Sequence, residues 1–221
     1  RHATYSPVPY YEEALRRDSK DIRCNNALGV WYLRRGQFSK SEAYFRKAIE
    51  TSEQRNPNPY DTEPYYNLGL CLKLQYQTDE AYKFFYKATW GRAWKDTGFF
   101  AVTQIDLSRG DYQLALEHIT QSIDSNANNS KSYVLKSAAY RYLGFSEAAI
   151  EICQEALKRD PFNLGSMFEL FIAQQSLGQK DQSQYALAEL LKLSRGYEQN
   201  FLEYALDYAA AGLYKEAIDL L

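Results

Sequence analysis

Apolar residues recur along this chain with helical spacing and regroup at a fixed interval. Runs such as Phe38, Ala48 and Ile49, or Ala149, Ile150, Cys153, Ala156 and Leu157, carry the one-sided pattern of an amphipathic helix. Between such runs, Gly110, Gly144, Gly178 and Gly212 stand 34 residues apart, three times running. No stretch alternates with period two between hairpin turns, so no sheet is predicted. A fixed period of this length marks stacked helix pairs, each too small to bury its apolar face alone.

The period defines a frame. The residues of each first helix that face the paired helix at closest approach are Gly29, Gly69, Thr103, Ser137, Phe171 and Ala205, with steps of 40, 34, 34, 34 and 34. Seven residues on lie the turn positions, Gly36, Tyr76, Gly110, Gly144, Gly178 and Gly212. Glycine there admits a positive φ and ends the first helix. Twelve residues after the anchor come Ser41, Ala81, Ala115, Ala149, Ser183 and Ala217, all small enough for two helices to approach closely. Sixteen after it come Phe45, Phe85, Ile119, Cys153, Leu187 and Leu221, which fill the core. Asp160-Pro161 closes one pair, because proline stops a helix and pulls the preceding residue out of the helical region.

The stretch from Tyr140 to Pro161, with Leu143-Gly144, Glu147-Ala148-Ala149 and Ala156-Leu157 at their fixed places, resembles the tetratricopeptide (TPR) repeat. The resemblance extends over almost the whole chain. It implies an all-α fold, a right-handed α-solenoid of stacked helix–turn–helix repeats. The expected organisation is a single array over 1–221: the second helix of a preceding repeat at 1–21, a repeat at 22–61, repeats at 62–95, 96–129, 130–163 and 164–197, and an incomplete repeat at 198–221. Two departures stand out. Asp106 occupies a place that the family gives to an aromatic residue, and Phe171, Ser183 and Leu190 make the repeat at 164–197 the most degenerate. The half-repeats at both ends predict a segment of a longer array.

The 40-residue step adds six residues, placed near 54–61 in a run that holds Asn56-Pro57, Asn58-Pro59 and Pro64. Such insertions map to loops on one face of a repeat array, often a binding face, and Arg55 and Tyr60 are its candidate contacts. The same run, continuing through Tyr65-Tyr66-Asn67-Leu68-Gly69, resembles the TPR region of large bacterial proteins that carry a β-rich domain of unknown function ahead of the array.

Composition narrows the chemistry. A net charge of −2 provides no basic footprint for nucleic acid. No run approaches the 18 or so apolar residues of a membrane span. Cys24, Cys71 and Cys153 are widely spaced and read as small buried hydrophobes; free thiols favour a reducing, cytoplasmic compartment. With only His2 and His118 as imidazoles, neither a metal site nor a nucleophile–base pair is expected; His118 reads as a surface residue that Glu117 cannot orient. Phosphate-cradling glycine motifs are absent, so no cofactor is expected. Trp90 and Trp94, four apart, read as one aromatic face packed between repeats.

The remaining candidate is the inner face lined by the first helices. Its predicted partner-binding residues are Asn26 and Val30; Tyr66, Leu70 and Lys73; Phe100 and Gln104; Val134 and Arg141; and Phe168. This mixture of aromatic, aliphatic and a few polar groups suits an extended peptide or a helix. It lacks the carboxylate clamp of chaperone-binding TPR domains. The chain therefore reads as a non-catalytic protein–protein interaction or intramolecular scaffold module, its partner a protein, a peptide or another domain of the same parent chain. The alternative is an accessory region of a carbohydrate-active or other enzyme whose catalytic domain lies elsewhere.

Overall fold

The computed structural model describes residues 6–221, so His2 lies outside the described residues. Among these it forms thirteen α-helices and no strand. They belong to two compact units, one ending at Gly98 and one beginning at Phe99.

The first unit holds α1 (Val8–Arg17), α2 (Ile22–Leu33), α3 (Phe38–Arg55), α4 (Glu63–Leu74) and α5 (Thr78–Ala88), then a single 3-10 turn at Arg92–Trp94. The boundary falls within α6 (Lys95–Arg109). The second unit continues with α7 (Tyr112–Ser125), α8 (Ser130–Tyr142), α9 (Ser146–Arg159), α10 (Leu164–Ser176), α11 (Lys180–Ser194), α12 (Gln199–Ala210) and α13 (Tyr214–Asp219). Even-numbered helices are the first helices of their pairs. In the first unit α2 packs on α3, α3 on α4 and α4 on α5; in the second α7 packs on α8, α8 on α9, α9 on α10 and α10 on α11.

All six predicted turn positions are left-handed, with φ between 61 and 83°, and Tyr76 adopts this backbone without glycine's freedom. The next residue then reaches back to a carbonyl five positions earlier, as Phe145 N–H does to Tyr140 (2.9 Å) and Leu213 N–H to Tyr208 (2.9 Å). These bonds satisfy carbonyls that would otherwise be orphaned at the helix end.

In three pairs the anchor and the core residue sixteen positions later are matched in size, whereas Leu221, expected in the core, is exposed. A side chain at Gly29 would collide with the ring of Phe45, and a Cβ at Gly69 would lie 2.7 Å from the ring of Phe85. Where the anchor is Ser137, the partner shrinks to Cys153, with Oγ and Sγ 3.1 Å apart. Phe45, Phe85 and Cys153 are buried completely or nearly so.

Four further expectations need correction. The six-residue insertion is partly helical: Gln54 and Arg55 extend α3 to 18 residues, the longest helix, and only Asn56–Thr62 form a connection. Trp90 and Trp94 share no helix, because the chain breaks at Gly91. Trp90 is exposed, while Trp94 stacks on Tyr66 at 4.9 Å. His118 is buried, since Asp106, entirely buried in the facing helix, meets its Nδ1 at 2.7 Å. The aspartate that departs from the repeat pattern is thus matched by the histidine twelve positions on. Cys71 and Cys153 are buried as expected, but Cys24 is half-buried.

Candidate interaction groove

Residues 198–221 carry the signature of one more repeat, and the hairpin forms: α12, a turn at Gly212 and α13. Its seat is unlike that of the pairs before it. Each earlier first helix of this unit from α8 on packs on the second helix that precedes it, whereas α12 packs on α10, the first helix of the neighbouring pair. Phe201, Ala205 and Tyr208 line one face of α12, Ala211 follows at its C-terminal cap, and all four are buried. They join Leu107 of α6, Val134 and Ala138 of α8, and Phe168 of α10 in a single apolar cluster. The hairpin therefore fills the inner face of the first helices in this unit.

Contact is close along the length of the hairpin. Gly165 lies under the ring of Tyr204, where a Cβ would stand 2.7 Å from Cε1. The rings of Tyr208 and Phe168 meet edge-on, centroids 6.0 Å apart. At the tip, a Cβ on Gly212 would come within 2.9 Å of the Ser108 Cα, so backbone lies nearly against backbone. Lys131 of α8 pairs with Asp207 at 2.9 Å and with Glu203 at 3.5 Å.

A buried polar cluster completes the seat. Arg141 Nη2 donates to Glu216 of α13 at 2.7 Å, and its Nε to Glu169 of α10 at 3.2 Å. The Tyr142 hydroxyl donates to Glu216 at 2.8 Å, and that of Tyr208 to Glu169 at 2.8 Å. Glu169 is completely buried and Glu216 only 3 % exposed. Two carboxylates thus share one guanidinium, and the two phenol hydroxyls and the Ser137 hydroxyl donate to them as well. Burial draws Arg141 down, but Glu169 and Glu216 outweigh it and hold the guanidinium above its ordinary value. Burial likewise pushes Glu216 up, and Arg141 more than reverses this, leaving the carboxyl below the usual glutamate range. Burial and Glu216 push Tyr142 up to about 12, and burial with Glu169 places Tyr208 well above ten.

Of the predicted groove residues, Gln104, Val134 and Phe168 are buried, and Phe100 and Arg141 are half-buried; the hairpin lies against Val134, Arg141 and Phe168. The prediction missed Glu169, Tyr208 and Glu216. Glu169 had a signal: it is the one charged residue in the otherwise apolar or neutral helix Leu164–Ser176, and a charge in such a place is buried only with a partner. Nothing in the chain order pointed to its partners, 39 positions away in Tyr208 and 28 in Arg141.

The first unit arranges the same face differently. Asn26 is buried and accepts from Asn67 Nδ2 at 3.0 Å, so it ties α2 to α4. Val30, Tyr66, Leu70 and Lys73 are half-buried, with Tyr66 held against Trp94. Asn26 and Val30 border a cavity of about 670 Å³, together with Tyr11, Trp31, Arg34 and Asp61. In the insertion, Arg55 and Tyr60 are both exposed and line a cavity of about 500 Å³ with Asp18 and Arg23. Tyr60 also borders one of about 380 Å³ with Lys87, Trp90 and Arg92. Among the described residues no group of three or more His, Cys, Asp or Glu is placed to hold a metal ion, and no helix is long and apolar enough to cross a membrane.

Two stretches of the chain, 24–59 and 130–163, match family models described as tetratricopeptide repeat. Similar solved structures are of the same kind. The C-terminal part of a TPR repeat-containing protein from Cytophaga hutchinsonii is 15% identical, with a TM-score of 0.71 over 97% of this chain and 93% of that one. YrrB, described as a TPR protein with an unusual peptide-binding site, is 13% identical with a TM-score of 0.66, over 86% of this chain and 95% of its own. MamA from Desulfovibrio magneticus RS-1 is 20% identical with a TM-score of 0.66, over 79% and 95%. At such identities the likeness concerns the fold. Helix pairs with left-handed turns, matched anchors and the two family-model matches lead to one conclusion: residues 24–59 and 130–163 are similar to the tetratricopeptide repeat, and the chain has the fold of a tetratricopeptide-repeat solenoid.

Proposed function

We propose that the chain is a non-catalytic interaction scaffold that holds a peptide, a helix or a neighbouring domain against the inner faces of its first helices. The observation that carries this reading is the seat of α12 in the second unit. A helix lies there on Val134 and Phe168, and Arg141 meets the Glu216 carboxylate of the helix that follows it. The face has the chemistry of helix recognition: aromatic and aliphatic anchors with a few charged groups that set register. In the first unit the corresponding residues are Asn26 and Val30, which border the 670 Å³ cavity, with Tyr66, Leu70 and Lys73. In the second they are Phe100, Gln104, Val134, Arg141 and Phe168. Arg55 and Tyr60 in the insertion form a further contact surface. YrrB, with its described peptide-binding site, is consistent with this reading. The partner is a protein segment; a net charge of −2 gives no basis for nucleic-acid binding.

The test is affinity capture with the natural full-length protein, comparing native with Tyr66→Ala/Leu70→Ala in the first unit and Phe100→Ala in the second. Captured polypeptide should fall about tenfold or more while helicity by circular dichroism stays constant. Unchanged capture from all variants would move the binding surface to the outer helices or the insertion.

A further inference from the structure

We propose that the α12–α13 hairpin is an internal ligand that can leave its seat, and that the groove beneath it takes a foreign helical hairpin of the same chemistry: two aromatic residues four apart on one face of its first helix and a carboxylate on its second. This deepens the proposed function and rests on it.

Three independent observations carry it. The first is the nature of the seat. The stack from α7 to α11 is held by contacts between consecutive helices, and the hairpin is added to its inner face. Its attachment to α11 is the short run Arg195-Gly196-Tyr197-Glu198, exposed throughout. Arg195 and Gly196 are both left-handed, with φ of 53° and 69°, so the chain reverses sharply here and two adjacent residues can absorb a hinge motion.

The second is the charge pattern. Arg141 and Glu169 belong to the stack and are paired with or without the hairpin. Glu216 is a second carboxylate brought to the same guanidinium, and Lys131 offers a further cation to Asp207 and Glu203. Each of these three ion pairs has its cation on the stack and its anion on the hairpin. The groove therefore offers cations to a negatively charged hairpin.

The third is shape. Gly165 leaves room for the ring of Tyr204, and Phe168 meets that of Tyr208. The missing side chain of Gly165 is the pocket for an aromatic ring. Two tyrosines four apart thus define the apolar half of the recognition pattern, and Glu216 the polar half.

A synthetic, fluorescently labelled peptide of residues 198–221 tests this, added to the native chain and to the Glu216→Lys variant. In the variant a lysine faces Arg141, the tethered hairpin is driven out, and the competent fraction rises. Anisotropy should then report binding about tenfold tighter than to the native chain, and adding Arg141→Ala should remove the gain. Equal or absent binding to a folded Glu216→Lys chain overturns the proposal. Hydrogen exchange on the native chain gives an answer that no folding defect can confuse. The amides of α12 and α13 should exchange as one unit ahead of those in α8 and α10; joint exchange with α8 and α10 overturns it. Dimers of the native chain that dissociate in Glu216→Lys would assign the groove to a second copy's hairpin and overturn the foreign hairpin. None of these outcomes touches the first unit, so the Tyr66→Ala/Leu70→Ala capture experiment judges the broader reading separately.

Discussion

Along α2 and α4 the inner-face residues Val30, Tyr66, Leu70 and Lys73 are half-buried, with Val30 at the edge of a cavity of about 670 Å³; along α8 and α10 the equivalent Val134 and Phe168 are buried beneath a helix of the same chain. The two faces come from the same repeat and the same frame. Polar residues make the difference. In the first unit Asn67 donates to Asn26 across neighbouring helices, amide to amide, and also to Glu63 of its own helix. In the second, Arg141 with Glu169 leaves guanidinium donors pointing inward, and Glu216 completes them. A neutral pair closes a repeat interface; an ion pair with donors to spare creates a demand for a partner.

The comparison breaks most sharply at Arg141. Arg141→Ala strands Glu169 and Glu216 without a cation, and removing one partner of a buried ionic cluster costs about 3–5 kcal/mol. Urea denaturation should show that loss, while Asn26→Ala in the first unit should cost only about 1–2 kcal/mol, a neutral hydrogen bond with its desolvated partner. Comparable losses at the two sites would mean the ionic cluster is not what distinguishes the faces.

Glycine supplies the second contrast. Gly144 and Gly212 hold the same turn position, with φ of 83° and 73°. Around Gly144 a Cβ would meet nothing within 4 Å, whereas at Gly212 it meets the Ser108 backbone. Gly144→Ala should therefore cost only the left-handed strain, about 1 kcal/mol. Gly212→Ala adds overpacking, for a total of about 2–4 kcal/mol. Equal melting shifts for the two would show that the tip of the hairpin is not tightly seated.

Acid gives a milder perturbation of the same seat. The folded value of Glu216 lies below its unfolded one. Its contribution is thus complete above the unfolded glutamate value of about 4.3 and is lost as pH falls through the lower folded value. Near-ultraviolet circular dichroism of the buried tyrosines should show this acid step, and Glu216→Gln should diminish it. An unaltered step in that variant would assign it to other carboxylates. The smallest effect belongs to the first unit: Tyr76→Gly relieves a left-handed tyrosine, 93 % exposed, and should stabilise by about 1 kcal/mol in the same denaturation assay.

Local chemistry made much of this legible beforehand. The left-handed turns, including the unusual one at Tyr76, followed from the spacing alone, and so did the close approach at Gly29 and Gly69. Contacts that depend on where a whole element settles were not legible. The 198–221 segment has the periodicity of one more repeat, and periodicity reports which face of a helix is apolar without saying which surface covers it. His118 was read as exposed for a related reason: its partner Asp106 lies on the other helix of the pair, twelve positions away. Val134, Arg141 and Phe168 were placed on one face by spacing, but the segment that lies against them was not legible, because Glu216 is 75 positions from Arg141 along the chain.

The four residues from Arg195 to Glu198 have a quantitative consequence. A hairpin on so short a tether presents itself to its own groove at an effective concentration of about millimolar or more. A free hairpin of equal intrinsic affinity, present at micromolar levels, would be outcompeted about a thousandfold. The length of that connection therefore sets the threshold a competitor must cross, and each change in it would retune the threshold without altering a single contact in the groove.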